Sequence, residues 1–173
     1  MDKILVLIDG ANVKHTANQL NMNIDWKRFT KPFTAWGNII GRRYYTAIYE
    51  DSQGHIHLKQ LVDYLEYNGY TVVQKEAKSF SNAAGEVKIK GNMDLEMAID
   101  ALTLAHAKRV DQIILVTGDG DFTCLVRALQ QLAIKVVVVS SVKTKPPMVA
   151  DTLRRAADTF VDLDDLRGQI QRR

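Results

Sequence analysis

A single cysteine, Cys124, stands in this chain of 173 residues. A lone thiol closes no internal disulfide and builds no multi-cysteine zinc site, which fits a reducing compartment. Its place on the stretch after an acidic turn suggests a small core residue on a helix. With ten glycines and three prolines, the chain is neither collagen-like nor of low complexity. No apolar run approaches the ~20 residues needed to span a bilayer. The N-terminus enters a strand-like pattern at once, without a charged leader and apolar segment, so a cytoplasmic protein is expected. Charge of one sign is also scarce, because 23 Lys and Arg against 20 Asp and Glu leave a net +3. Any grip on nucleic acid must therefore come from a local basic patch. A Walker lysine loop, a Gly-x-Gly-x-x-Gly turn and a Ser-His-Asp or Cys-His arrangement are all missing. Nucleotide-fuelled, dinucleotide and covalent nucleophilic chemistry are not indicated.

Present instead are short apolar runs alternating with helical periodicity. Lys3–Ile8, Ile113–Val116 and Ile134–Val139 are almost wholly apolar and rich in β-branched residues, as strands buried on both faces require. Arg42–Tyr49 and a stretch from Tyr70 read as further strands, and Phe160-Val161 as a short last one. Helical stripes follow Asn12 to about Leu20 and occupy 55–67, Asn92–Lys108, 122–132 and 148–157. Trp26, Phe29, Phe33 and Trp36 recur at three- and four-residue steps, predicting a helix from Asp25 to Trp36 with its aromatics in the core. The result is an α/β fold with a mainly parallel central sheet flanked by helices. We place one domain over 1–163, with 164–173 as a C-terminal helix or frayed tail.

The polar signal lies at the strand ends. Asp9 closes the first strand, and Asp119 and Asp121 follow Ile113–Val116 in the turn Gly118-Asp119-Gly120-Asp121. Ligand crevices in such sheets lie outside the carboxyl ends of the strands. Asp94 opens the helix after Asn92, where capping and the helix dipole alone favour an acid. Asp100 lies six residues on and about 120° around the helix, so it cannot share an ion with Asp94. It either pairs with Glu96 or serves as an outer carboxylate. Carboxylates gathered in one crevice repel unless a cation neutralises them, and an all-oxygen set suits Mg2+ or Mn2+. Hydrolysis by metal-activated water is the chemistry that follows. Lys75, Lys78, Lys88 and Lys90 fall in the least periodic stretch, which is either a solvated hairpin or a phosphate-gripping flap. His55 and His57 face different ways on a helix and share no metal.

Three ordered motifs carry a resemblance. Ile8-Asp9-Gly10-Ala11-Asn12, Lys90-Gly91-Asn92-Met93-Asp94 with Asp100, and Val116-Thr117-Gly118-Asp119-Gly120-Asp121-Phe122 resemble the NYN domain of the LabA-like bacterial proteins. That family lies within the PIN-like nuclease superfamily, and the resemblance runs from about Asp2 to Val161. It implies a Rossmann-like, three-layer PIN-like fold and a metal-dependent ribonuclease that hydrolyses RNA phosphodiester bonds. By the family pattern Asp9, Asp94 and Asp119 would hold Mg2+ or Mn2+, with Asp121 as a further acidic ligand. Asn12 and Asp100 would orient ligands or water, Thr117 would position a ligand through its hydroxyl, and Lys90 would hold the scissile phosphate. Lys88 and Lys143 are the other candidates for contact with RNA, which is expected to be single-stranded. Gly120 departs from the pattern, standing where a Ser is common. PIN-like proteins often pair, which leaves a homodimer open.

Two other readings use the same residues. Gly118-Asp119-Gly120-Asp121 also resembles the late metal motif of haloacid dehalogenase phosphatases, but Ala11 stands where those enzymes need a second acid. A PIN-like module can also bind RNA or a protein partner without cutting, since fold alone confers no activity.

Overall fold

Lys3–Asp9 forms strand β1, and five successive residues, Ile4 to Ile8, are buried. A strand with no polar face needs cover on both sides of its sheet. The computed structural model describes residues 1–49, 58–81 and 87–172, without the side chains of 78–81 and 87–90. After β1 come α1 (Gly10–Gln19), β2 (Asn38–Ile48), α2 (Lys59–Tyr67), β3 (Thr71–Glu76), β4 (Lys78–Ser81) and β5 (Val87–Lys90). Then follow α3 (Asp94–His106), β6 (Gln112–Val116), α4 (Thr123–Gln131), β7 (Lys135–Ser140), α5 (Asp151–Ala156), β8 (Thr159–Asp162) and α6 (Arg167–Ile170).

Six strands form one sheet in the order β3-β2-β1-β6-β7-β8, and every pairing in it is parallel. β4 and β5 pair antiparallel outside it. Helices cover both faces. Val13 of α1, Leu65 of α2 and Ile170 of α6 pack with Ile4, Val6 and Ile8 on one side. Met97 of α3, Val126 of α4 and Leu153 of α5 pack with Leu5 and Leu7 on the other. This is the expected three-layer α/β architecture. The chain runs outward one way from β1 to β2 and β3, and the other way from β6 to β7 and β8. That reversal opens a crevice at the carboxyl ends of β1 and β6.

The helix expected over Asp25–Trp36 is absent. Tight i to i+3 turns run through 25–31, with Arg28 N donating to Asp25 O and Lys31 N to Arg28 O, and a 3-10 turn spans Lys31–Ala35. Pro32 has no N–H to continue an α-helical ladder. The aromatics are nonetheless structural: Phe29 and Phe33 are fully buried, and Trp26 packs edge-on against Tyr44 and Tyr70. The helix expected over 55–67 runs from Lys59, with Leu58 before it in the left-handed region at φ 69°. His55 and His57 lie outside the described residues. Cys124 is not a core residue but an exposed one. The buried stripe of α4 is Leu125, Val126 and Leu129, and a neighbour at position 124 falls outside it. The C-terminal segment is docked rather than frayed: Asp25 N donates to Ile170 O and Arg172 N to Asn23 O, both at 2.7 Å.

Candidate functional site

Asp9 ends β1 and caps α1. Its Oδ1 accepts from Asn12 N at 3.1 Å, and its Oδ2 accepts from the Thr117 hydroxyl at 3.0 Å. Thr117 Oγ1 in turn accepts from Asp119 N at 3.2 Å, and Asn12 Oδ1 accepts from Gly118 N at 2.9 Å. Two side chains from the β1 end thus hold the backbone that follows β6. A Cβ at Gly118 would run into the Met148 carbonyl, so only glycine fits where these segments meet.

Asp119 caps the turn Gly120–Phe122 by accepting from Asp121 N at 2.9 Å, which swings Asp121 beside it. Asp94, the first residue of α3, is gripped by Asn92: Asn92 Nδ2 donates to Asp94 Oδ2 at 2.7 Å, and Asp94 N donates to Asn92 Oδ1 at 2.6 Å. Asp94, Asp119 and Asp121 each offer a carboxylate oxygen, and the three oxygens lie within 4.8 Å of one another. The crevice beside them has a volume of about 350 Å³, and its walls include Asp9, Asn12, Asp94 and Asp119.

Burial raises the pKa of Asp9 above the usual carboxylate value of 3.8, against the lowering effect of its bonds from Asn12 and Thr117, and the charges of Asp94 and Asp119 raise it further. Asp94 is also raised, first by burial and then by Asp119, Asp121 and Glu96, against the lowering bond from Asn92. Among the described residues no Lys or Arg forms an ion pair with Asp9, Asp94, Asp119 or Asp121. Three hard oxygens within one coordination sphere, under mutual repulsion, fit a small divalent cation. Asp94, Asp119 and Asp121 make the closest set. Asp9 stands at the crevice wall with two of its roughly four lone-pair positions occupied by hydrogen bonds.

The remaining expected residues are placed differently. Asp100 does not pair with Glu96. It accepts from Arg43 Nη1 at 2.6 Å and from the Tyr45 hydroxyl at 2.8 Å, while Glu96 pairs with Lys75 at 2.8 Å. Burial and the Asp100 charge push the Tyr45 phenol well above its usual pKa, so it remains a donor. Asp100 therefore reaches the crevice only through Tyr45, which lines it. Lys143 is engaged by Asp164 at 3.1 Å and Asp165 at 2.6 Å, and it is not a wall of the crevice. Lys88 and Lys90 lie on β5, with side chains outside the described set. Asn92, His15 and Met148 also line the crevice without having been expected there. Asn92 was visible as the amide two residues before an acid at a helix start, a spacing that favours local side-chain capping. His15 stands one turn beyond Asn12 and shares its helix face.

A model of the NYN domain family matches residues 3–164. The low amplitude and bright protein LabA of Synechococcus elongatus is 29% identical over 98% of this chain and 88% of its own length. An uncharacterized protein of Methanocaldococcus jannaschii is 26% identical over 94% of this chain, which spans 56% of that longer protein. A crystal structure of a Vibrio parahaemolyticus protein of unknown function superposes with a TM-score of 0.75 at 29% identity, covering 95% of this chain and 94% of the other.

Proposed function

The chain belongs to the NYN domain family, and from that premise we propose that it is a Mg2+- or Mn2+-dependent ribonuclease hydrolysing phosphodiester bonds in single-stranded RNA. The observation that carries this reading is the meeting of Asp94, Asp119 and Asp121 within 4.8 Å at the sheet's switch-point crevice. When bound there, the ion supplies polarisation of the phosphoryl oxygen and a lowered pKa for a coordinated water.

The chain's own residues do the placing. Asp94, Asp119 and Asp121 hold the ion, and Asp9 completes the set with a lone pair that its hydrogen bonds leave free. Asn92 fixes the rotamer of Asp94 through its amide, and Thr117 orients Asp9 while tying it to the Asp119 backbone. Asn12 locks the Gly118 backbone, so both strand ends keep their spacing while substrate enters. Asp100 acts at one remove by orienting Tyr45 at the crevice wall. Lys88 and Lys90 supply positive charge for the phosphates, whereas Lys143 is held away by Asp164 and Asp165 and has no part in the site. No helix among the described residues is long and apolar enough to cross a membrane, and the proposed site of action is the cytoplasm.

The test is cleavage of a labelled, mixed-sequence single-stranded RNA by purified protein in Mg2+, Mn2+ or EDTA, beside Asp94→Asn and Asp119→Asn. Cleavage that needs the cation and is lost in both variants supports the reading. Protein that binds this RNA yet never cuts it under either cation replaces the nuclease with a binding module.

A further inference from the structure

The crevice does not end at the carboxylates. A second cavity of about 360 Å³ adjoins it, and the two share Ala11, His15, Thr46, Ala47 and Gly91 as common wall. Together they make one groove that leaves the acids and runs along α1 to Lys14 and Asn18.

The pattern of α1 explains this path. Val13, Thr16 and Ala17 are buried against the sheet, whereas Ala11, Lys14, His15 and Asn18 are exposed. Positions 11, 14, 15 and 18 follow the i, i+3, i+4, i+7 spacing of one helix face. The outer face of α1 is therefore a polar stripe with a small residue, Ala11, nearest the acids. Lys14 offers a cation, Asn18 an amide that donates and accepts, and His15 a ring for stacking or hydrogen bonding. Backbone-tracking grooves for single-stranded nucleic acid combine these chemistries: a cation for phosphate, with planar and amide groups for sugars and bases. The groove suits a continuous strand and contrasts in charge with the acidic end, where a bound cation is needed before a phosphate can enter.

We infer that the α1 groove is the subsite for the nucleotide next to the scissile phosphate in single-stranded RNA, with Lys14 neutralising the neighbouring phosphate and Asn18 contacting its sugar or base. The inference rests on the ribonuclease reading for the position of the scissile phosphate. It does not rest on turnover.

The experiment is an anisotropy titration of a fluorescein-labelled mixed-sequence single-stranded RNA in Ca2+ across a series of salt concentrations, with cleavage measured separately in Mn2+. Lys14→Ala is expected to weaken binding about 3- to 10-fold at low salt and to reduce the slope of log affinity against log salt by about 0.7, the signature of one lost phosphate contact on a single strand. Asn18→Ala is expected to weaken binding with the slope unchanged. Lys135→Ala, at the start of β7 on the opposite end of the sheet, should leave affinity and slope at wild-type values. Both α1 positions are exposed, so thermal melts of the variants should overlay the wild type and separate binding from folding. Wild-type affinity and slope in Lys14→Ala overturn the inference even if the protein cleaves RNA. The expected loss in Lys14→Ala without cleavage keeps the groove and removes the nuclease. A wild-type protein that binds no RNA overturns both.

Discussion

Replacing Asp94 by Asn separates the carboxylate cluster's cost to folding from its use as a cation site. Two full charges at the outer limit of 4.8 Å that bounds the cluster repel by about 0.9 kcal/mol in water and about 3.5 kcal/mol at an effective dielectric of 20. The crevice is open and Asp94 is partly exposed, so about 1 kcal/mol of relief is the appropriate scale. Against it stands the loss of a negative charge from the first turn of α3, worth roughly 0.3–1 kcal/mol. The Asn92 bond survives, because an Asn at 94 can turn its oxygen toward Nδ2. These effects nearly cancel, and the cation-free Tm of Asp94→Asn should fall within about 3 °C of wild type at 2–4 °C per kcal/mol. With cation the two proteins should part. At a hundredfold excess over Kd, binding stabilises the native state by about 2.7 kcal/mol, or roughly 5–10 °C for a chain of this size. The assay is thermal denaturation at pH 7.5 with EDTA or a Mn2+ series. Wild type should climb by that amount at a hundredfold excess and keep rising with the logarithm of Mn2+ concentration, while Asp94→Asn should move by less than about 2 °C. An equal Mn2+ shift in both, or none in wild type at millimolar Mn2+, refutes the assignment of these carboxylates to a cation.

Acid should weaken the same site with a defined sign. Asp9 and Asp94 have native pKa values above 3.8, so immediately above pH 3.8 the folded protein holds protons that the unfolded chain has released. The cost of burying these charges, with the repulsion added to it, is therefore full above the raised native values and is relieved as pH falls through them, while protons compete with Mn2+ in that range. Mn2+ titrations at pH 5 and 7.5 should give weaker binding at pH 5, and a pH-independent affinity would contradict the shifts. Gly118→Ala drives a Cβ into the Met148 carbonyl. It should cost about 1–3 kcal/mol and lower Tm by roughly 2–12 °C in the same melts; an unchanged Tm would show that this approach is looser than described.

The central strands were legible because burial on both faces leaves a continuous apolar run, as in Ile4–Ile8 and Ile113–Val116. The acids were legible because each stands where such a run or a helix begins or ends. Residues 25–36 were not, because successive tight turns around an aromatic cluster repeat at the same three- and four-residue spacing as a helix face, and only Pro32 hinted at the difference. The partner of Asp100 was hidden for another reason. Arg43 and Tyr45 lie more than fifty residues away on β2, and local spacing proposes only Glu96. The α1 groove needed both the helix face and the position of β2 beneath it.

The Thr117–Asp9 and Asn12–Gly118 hydrogen bonds join residues 108 and 106 positions apart. Contacts of such separation close late, because a long loop must lose its freedom before they repay it. Asp9 thus joins Asp94, Asp119 and Asp121 only when β1 and β6 are in register. A fragment ending before β6, or a chain still collapsing, holds no assembled carboxylate set. An incomplete chain therefore presents neither the full acidic set nor the two cross-ties that hold Asp9 and the Gly118 backbone in place.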